Sequence, residues 1–240
     1  MLEFLKTKTI KDTTIVTVGM VLSTLLSAAS IFLLARFLGP GQFGLYVTAL
    51  AIAMIVIDSL ELAISNSIVK FSSSQGPDTA GFIHYGFRLK LRLGFLVGAI
   101  FAGLSYLVAD WIHPELKLPL VVSSLFIPAV FWLRFPRSLL RSRKRFMADS
   151  LLENVISLAR LIAVGLFYWL GKLTVITALF GYLIGALVGG AVGALLIDWS
   201  FLKAGFSQKI KKRFFGFQKW LTLGFIVAAV HSRIDSVLLL

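Results

Sequence analysis

The chain has 240 residues, 58% of them hydrophobic and only 15% charged, with a formal net charge of +13 at pH 7. Such a composition excludes an ordinary soluble domain, in which about half the residues are apolar and about a quarter charged, and indicates an all-α polytopic membrane bundle. The absence of cysteine excludes disulfides and thiolate metal sites.

In chain order, a basic start (Lys6, Lys8, Lys11) opens onto an apolar run too long for a signal-peptide core, so it reads as an uncleaved first span. A crossing helix needs about 20 apolar residues. The pattern predicts six complete spans, near 13–36, 45–64, 90–109, 118–137, 151–170 and 174–197. A seventh begins near Lys219 and is still apolar at Leu240. The expected organisation is a first bundle over 1–205, an interfacial amphipathic linker over 206–218, and the start of a second bundle over 219–240. A run with no polar tail leads to the expectation of a truncated piece of a longer protein.

Between the first two runs lies Arg36–Tyr46, carrying Gly39, Pro40, Gly41 and Gly44. The glycines allow positive φ and the proline lacks an N–H, so a tight turn and an antiparallel hairpin are expected. The basic residues set the orientation. Nineteen of them lie in the N-terminal tail and in alternate loops, including Lys70, Arg88, Lys90 and Arg92, and Arg134 through Arg145. Only Arg36, Lys117 and Lys172 lie on the other side. The N-terminus is therefore cytoplasmic and the glycine turn faces outward. Charges beside spans act as anchors at lipid headgroups, so no nucleic-acid partner is expected. In the linker, Phe206, Ile210, Phe214 and Phe217 follow a helical stripe beside Lys209, Lys211, Lys212 and Arg213.

Polar residues inside the spans divide by cost. Gly181, Gly185, Gly189 and Gly193 form a small-xxx-small stripe on the sixth span, suited to close helix packing. Thr17, Thr24 and Ser27 on the first span, with Ser157 on the fifth, read either as packing hydroxyls or as the mildly polar wall of a cavity. Asp58 and Glu61 share a face with Ser65 on the second span; Glu153, Ser157 and Arg160 share one on the fifth; His231, Arg233 and Asp235 lie on the seventh. An intramembrane arginine costs at least about 2.5–3.5 kcal/mol, so these charges meet a partner, such as Arg160 with Asp58 or Glu61, or line a watery cavity. No paired-acid metal site, phosphate loop or histidine cluster stands out. The residues imply no cofactor, no metal and no catalytic group.

The first hairpin, Ala35-Arg36-Phe37-Leu38-Gly39-Pro40 leading into Phe43-Gly44-Leu45-Tyr46, resembles the opening of polysaccharide-repeat-unit (O-antigen type) flippases. These belong to the multidrug/oligosaccharidyl-lipid/polysaccharide exporter superfamily. Arg233-Ile234-Asp235 and the aliphatic run after it resemble the start of that family's second half. The resemblance implies a transporter in the cytoplasmic membrane that moves polyprenyl-pyrophosphate-linked oligosaccharide to the outer leaflet. It further implies a second helix bundle as partner. Arg160 and Arg233 would contact the pyrophosphate, while Asp58, Glu61 and Asp235 would pair with them or bind a coupling H+ or Na+. Two alternatives stand beside this reading. One is a cation-coupled drug exporter of the same superfamily; the other is a membrane-embedded polyprenyl-phosphate transferase using Asp149 and Glu153.

Overall fold

The computed structural model describes residues 2–74 and 76–238, with side chains described for 14–74, 76–111, 113–228 and 231. All regular structure among them is helical. The helices are α1 (Leu2–Ser72), α2 (Thr79–Ile112), α3 (Lys117–Ser123), α4 (Phe126–Ser142), α5 (Phe146–Trp169), α6 (Val175–Leu195) and α7 (Gln208–Leu238), with short 3-10 turns at Pro114–Leu116 and Ser200–Lys203.

α1 is two helices. Gly39, at φ 73° and ψ 168°, interrupts it, and Pro40 opens the second arm, where its missing N–H costs nothing. Gly41 and Gly44, also expected to supply positive φ, lie inside the second arm; Gly39 alone carries the turn. The arms reverse direction across it, as their neighbours show. The first arm runs parallel to α5: Gly19 faces Ser150, Ser27 bonds Ser157, and Phe37 stacks on Tyr168 at 3.9 Å. The second arm runs parallel to α4, pairing Asp58 with Arg134 and Ser65 with Ser138. α4 and α5 are antiparallel across a three-residue turn, with Arg137 against Asp149. The two arms are therefore antiparallel to each other.

Five described stretches are long and apolar enough to cross a membrane: Thr14–Ser72, Thr79–Trp111, Pro114–Ser142, Phe146–Trp169 and Val175–Leu195. The first has 59 residues, about three times the length that one crossing needs. Its break at Gly39 divides it into two arms, each long enough to cross, which makes six candidate crossings among the described residues. The third, expected as one span, bends at Ser124–Leu125 because Pro128 has no N–H for the Ser124 carbonyl. α2 starts at Thr79, well before the expected 90. α7 is continuous from Gln208, so the amphipathic stretch and the next apolar run share one helix. Its stripe turns toward protein: Ile210 and Phe214 are buried, and Phe214 packs against Phe71 and Tyr85 of α1 and α2.

The helix ends are satisfied locally. α4 ends with Lys144 at φ 55°, and the Arg145 N–H returns to the Leu140 carbonyl at 2.8 Å. α5 ends on Gly171 at φ 65°, with the Lys172 N–H on the Phe167 carbonyl at 2.9 Å. Thr174 and Thr177 then cap α6 reciprocally.

The glycine stripe of α6 seats it on α5 and α4. A Cβ at Gly185 would lie 3.1 Å from the Ile156 carbonyl oxygen, and at Gly189 and Gly193 it would collide with Ile156 and Pro136. Backbone cannot yield as a side chain can, so Gly185 is the most demanding position. Gly185→Val is expected to destabilise the protein by about 1–3 kcal/mol through overpacking. Gly103→Ala on α2, where nothing lies within 4 Å, is expected to be neutral. Thermal unfolding of the detergent-solubilised variants measures both.

Candidate functional site

The site forms where four helices bring charge into the apolar bundle. The second arm of α1 presents Asp58, Glu61 and Ser65 on one face. α4 presents Arg134, Arg137, Ser138 and Arg141 at helical spacing, with Phe131, Phe135 and Leu139 buried behind. α5 contributes Asp149, Glu153 and Arg160, and α2 contributes Lys90.

Glu61 is the centre. It has no exposed surface, and its two oxygens are divided between neighbours. Lys90 Nζ donates to Oε1 at 2.6 Å, as does the Ser65 hydroxyl at 2.5 Å, and Arg134 Nη1 donates to Oε2 at 3.0 Å. Lys90 is itself only 1% exposed and donates also to Ser65 at 2.8 Å. Arg134 Nη1 bridges on to Asp58 at 2.8 Å, and Ser138 donates to the Ser65 hydroxyl at 2.9 Å. Three helices are thus tied through one carboxylate. Removing one partner from such a buried pair typically costs about 3–5 kcal/mol, because the other is left charged and unmatched.

A second network stands beside it on the α4–α5 hairpin. Arg137 donates to Asp149 at 2.7 Å and to Glu153 at 2.5 Å, and Arg141 donates to Asp149 at 2.7 Å. Beside the networks open two spaces that share Arg134 and Arg137 in their linings. One is a cleft of about 310 Å³ that also reaches Glu61, Ser65, Asn66, Ser138 and Arg141. The other is a narrow cavity of about 120 Å³ that also reaches Glu153, Arg160 and Tyr182. At 1.5 Å per residue, Arg134 lies about 12 Å along α4 from its Ser142 end, and Arg160 lies about 21 Å along α5 from Phe146.

Arg160 differs from the rest. Its guanidinium sits over the Tyr182 ring, 4.1 Å from the centroid, and its buried Nε has no hydrogen-bond partner among the described residues. It does not reach Asp58 or Glu61, which pair with Arg134 and Lys90 instead. Four carboxylates therefore face five cations, and of these five Arg160 is left with an aromatic face in place of a carboxylate.

The other expected site residues separate. Ser27 and Ser157 meet, Oγ to Oγ at 3.0 Å, and join α1 to α5. Thr17 and Thr24 face away from the bundle, and the Thr24 hydroxyl donates to its own helix at the Met20 carbonyl. The Arg233 and Asp235 side chains lie outside the described residues. Gly39, Pro40, Gly41 and Gly44 border a shallow recess with His113 and Glu115 at the opposite end of the bundle. Asp149 and Glu153, the pair considered for metal chemistry, are held by Arg137 and Arg141. His84 is engaged with the Ala204 carbonyl at 2.6 Å.

Sequence reasoning missed Lys90, Arg134 and Arg137. The sequence counts all three with the loop charges, at the ends of the spans expected over 90–109 and 118–137, and the structure places them within helices and in ion pairs. The available signal was the single face shared by Arg134, Arg137 and Arg141, and the setting of Lys90 between Leu89 and Leu91, where a lone ammonium has no water to meet.

A family model described as polysaccharide biosynthesis protein matches residues 9–240. No match was found among curated proteins or solved structures.

The α1–α5 contact has a direct check, because the chain contains no native cysteine. Ser27→Cys with Ser157→Cys is expected to form a disulfide on mild oxidation, read as a shift in gel mobility. Thr24→Cys with Ser157→Cys, one turn off register, is expected to remain reduced.

Proposed function

The chain belongs to the polysaccharide biosynthesis protein family, as a multi-pass protein of the cell membrane, and from that premise we propose that it flips polyprenyl-pyrophosphate-linked oligosaccharide from the cytoplasmic to the outer leaflet. The observation that carries the reading is the arginine-lined cleft with one cation in excess of its carboxylates. A diphosphate needs planar, permanently charged forks, and arginine supplies them where lysine supplies a single point charge.

In this reading Arg160 is the deep headgroup contact, with Arg134 and Arg137 lining its approach and Arg233 contributing from α7. Asp58, Glu61 and Asp235 hold the arginines when the substrate is absent. Alternating access moves this bundle against a second one around the shared cavity, with H+ or Na+ as the candidate coupling ion. The drug-exporter reading calls for an acidic cavity, and the excess of cations weighs against it.

Arg160→Ala and Arg233→Ala, each in the intact protein, are expected to abolish surface polysaccharide while leaving the membrane level of the protein unchanged. Arg160→Lys, which keeps charge but loses the planar fork, is expected to fall between them and the wild type. Immunoblots of surface polysaccharide and of the protein provide the readout, and full polysaccharide in both alanine variants would remove the headgroup role.

A further inference from the structure

We propose that Lys90 is a specificity-determining residue that touches no substrate: it cancels the charge of Glu61 and thereby frees Arg134 for an anion. The inference rests on the reading of the cleft as a diphosphate site. Its basis is the arrangement around one carboxylate. Asp58 and Glu61 both reach Arg134, and alone they would leave this wall of the cleft with one negative charge in excess. Lys90 approaches from α2, behind the wall, and takes Glu61 Oε1, leaving only Oε2 to the arginine.

The groups facing the cluster are few. The second arm of α1 supplies Asp58, Glu61 and the Ser65 hydroxyl, α2 supplies Lys90, and α4 supplies Arg134 and the Ser138 hydroxyl. With Lys90 present these sum to zero, and the positive excess contributed by Arg160 in the neighbouring cavity is kept. Without it, a carboxylate with no exposed surface repels any anion that approaches Arg134. Lys90 does not line the cleft, so its effect on an anion is through charge and not through contact.

The inference gives a signed series that packing alone would not give. Lys90→Met leaves the wall at −1, Lys90→Met with Glu61→Gln returns it to zero, and Glu61→Gln alone takes it to +1. One uncancelled charge about 12 Å from a unit charge of the anion, at an effective dielectric of roughly 20, corresponds to about a tenfold change in anion affinity. With inorganic diphosphate as the probe and the intact protein in detergent, Lys90→Met is expected to bind about tenfold more weakly than wild type. The double variant is expected to match wild type within about threefold, and Glu61→Gln to bind about tenfold more tightly. Thermal unfolding of each variant tracks the fold separately. If Lys90→Met does not fold, the double variant and Glu61→Gln still decide the order. Equal affinities across folded variants, or a folded double variant that stays weak, would overturn the role of Lys90 while leaving the diphosphate site intact. Absence of diphosphate binding by the wild type would overturn the headgroup reading itself.

Discussion

Glu61, a carboxylate with no exposed surface, sits in the middle of a bundle whose exterior is hydrocarbon-facing, and the helix arrangement follows from keeping it neutralised. In a medium that cannot hydrate charge, an unmatched carboxylate costs more than any single apolar contact returns. Lys90 and Arg134 must therefore both reach it, one from α2 and one from α4. That requirement fixes the register of both helices against the second arm of α1. Ser65 and Ser138 extend the hydrogen bonding around Glu61, and the cleft opens beside this polar cluster.

Apolar burial alone would not select this arrangement, because lipid is as apolar as leucine and offers helices no hydrophobic reason to associate. Two devices replace it. Charge pairing joins α1, α2 and α4. Close approach joins α6 to α5 and α4, where Gly185 admits the Ile156 carbonyl of α5 and Gly193 admits the Pro136 ring of α4. Glycines on α2 play the same part against the bend in the α3–α4 crossing, with Gly94 and Gly98 against Pro128. The narrow cavity lies between these two kinds of contact, bordered on one side by Arg134, Arg137 and Glu153 and on the other by Tyr182 and Ala186 of α6.

Much of the fold was legible in the sequence, since long apolar runs, the Gly39–Pro40 break and the glycine spacing on α6 each have one physical reading. The membership of the site was less legible. Hydropathy treats a charged residue as the end of a span, so Lys90, Arg134 and Arg137 fall at the expected span ends and count with the loop charges, whereas the helices continue past them. Asp58 and Glu61 were recognised as costly and in need of partners, and the partners were chosen from residues already placed inside spans, which left Arg160. The error came from boundaries and not from the energetics. The same rule that flagged the acids, applied to Lys90 between two leucines, asks for a carboxylate one helix away.

The distinction between Arg160 and the other arginines bears on how an anion can enter at all. Arg134 and Arg137 are already matched by carboxylates, so a diphosphate reaching them exchanges one counter-charge for another. Arg160 is matched only by the face of Tyr182, which stabilises a cation by about 0.5–2 kcal/mol and gives no ion pair to break. In the proposed reading, an anion moving from the half-exposed Arg141 inward passes through exchanges at Arg137 and Arg134 and ends at the one cation whose neutralisation is new. Each intermediate keeps the local charge near balance, which the low dielectric demands, and the net gain is reserved for the deepest position. A cleft lined by unpaired arginines would bind an anion at its mouth and hold it there. In the proposed reading, one lined by paired arginines with a single uncompensated cation at its end draws the anion inward to that end.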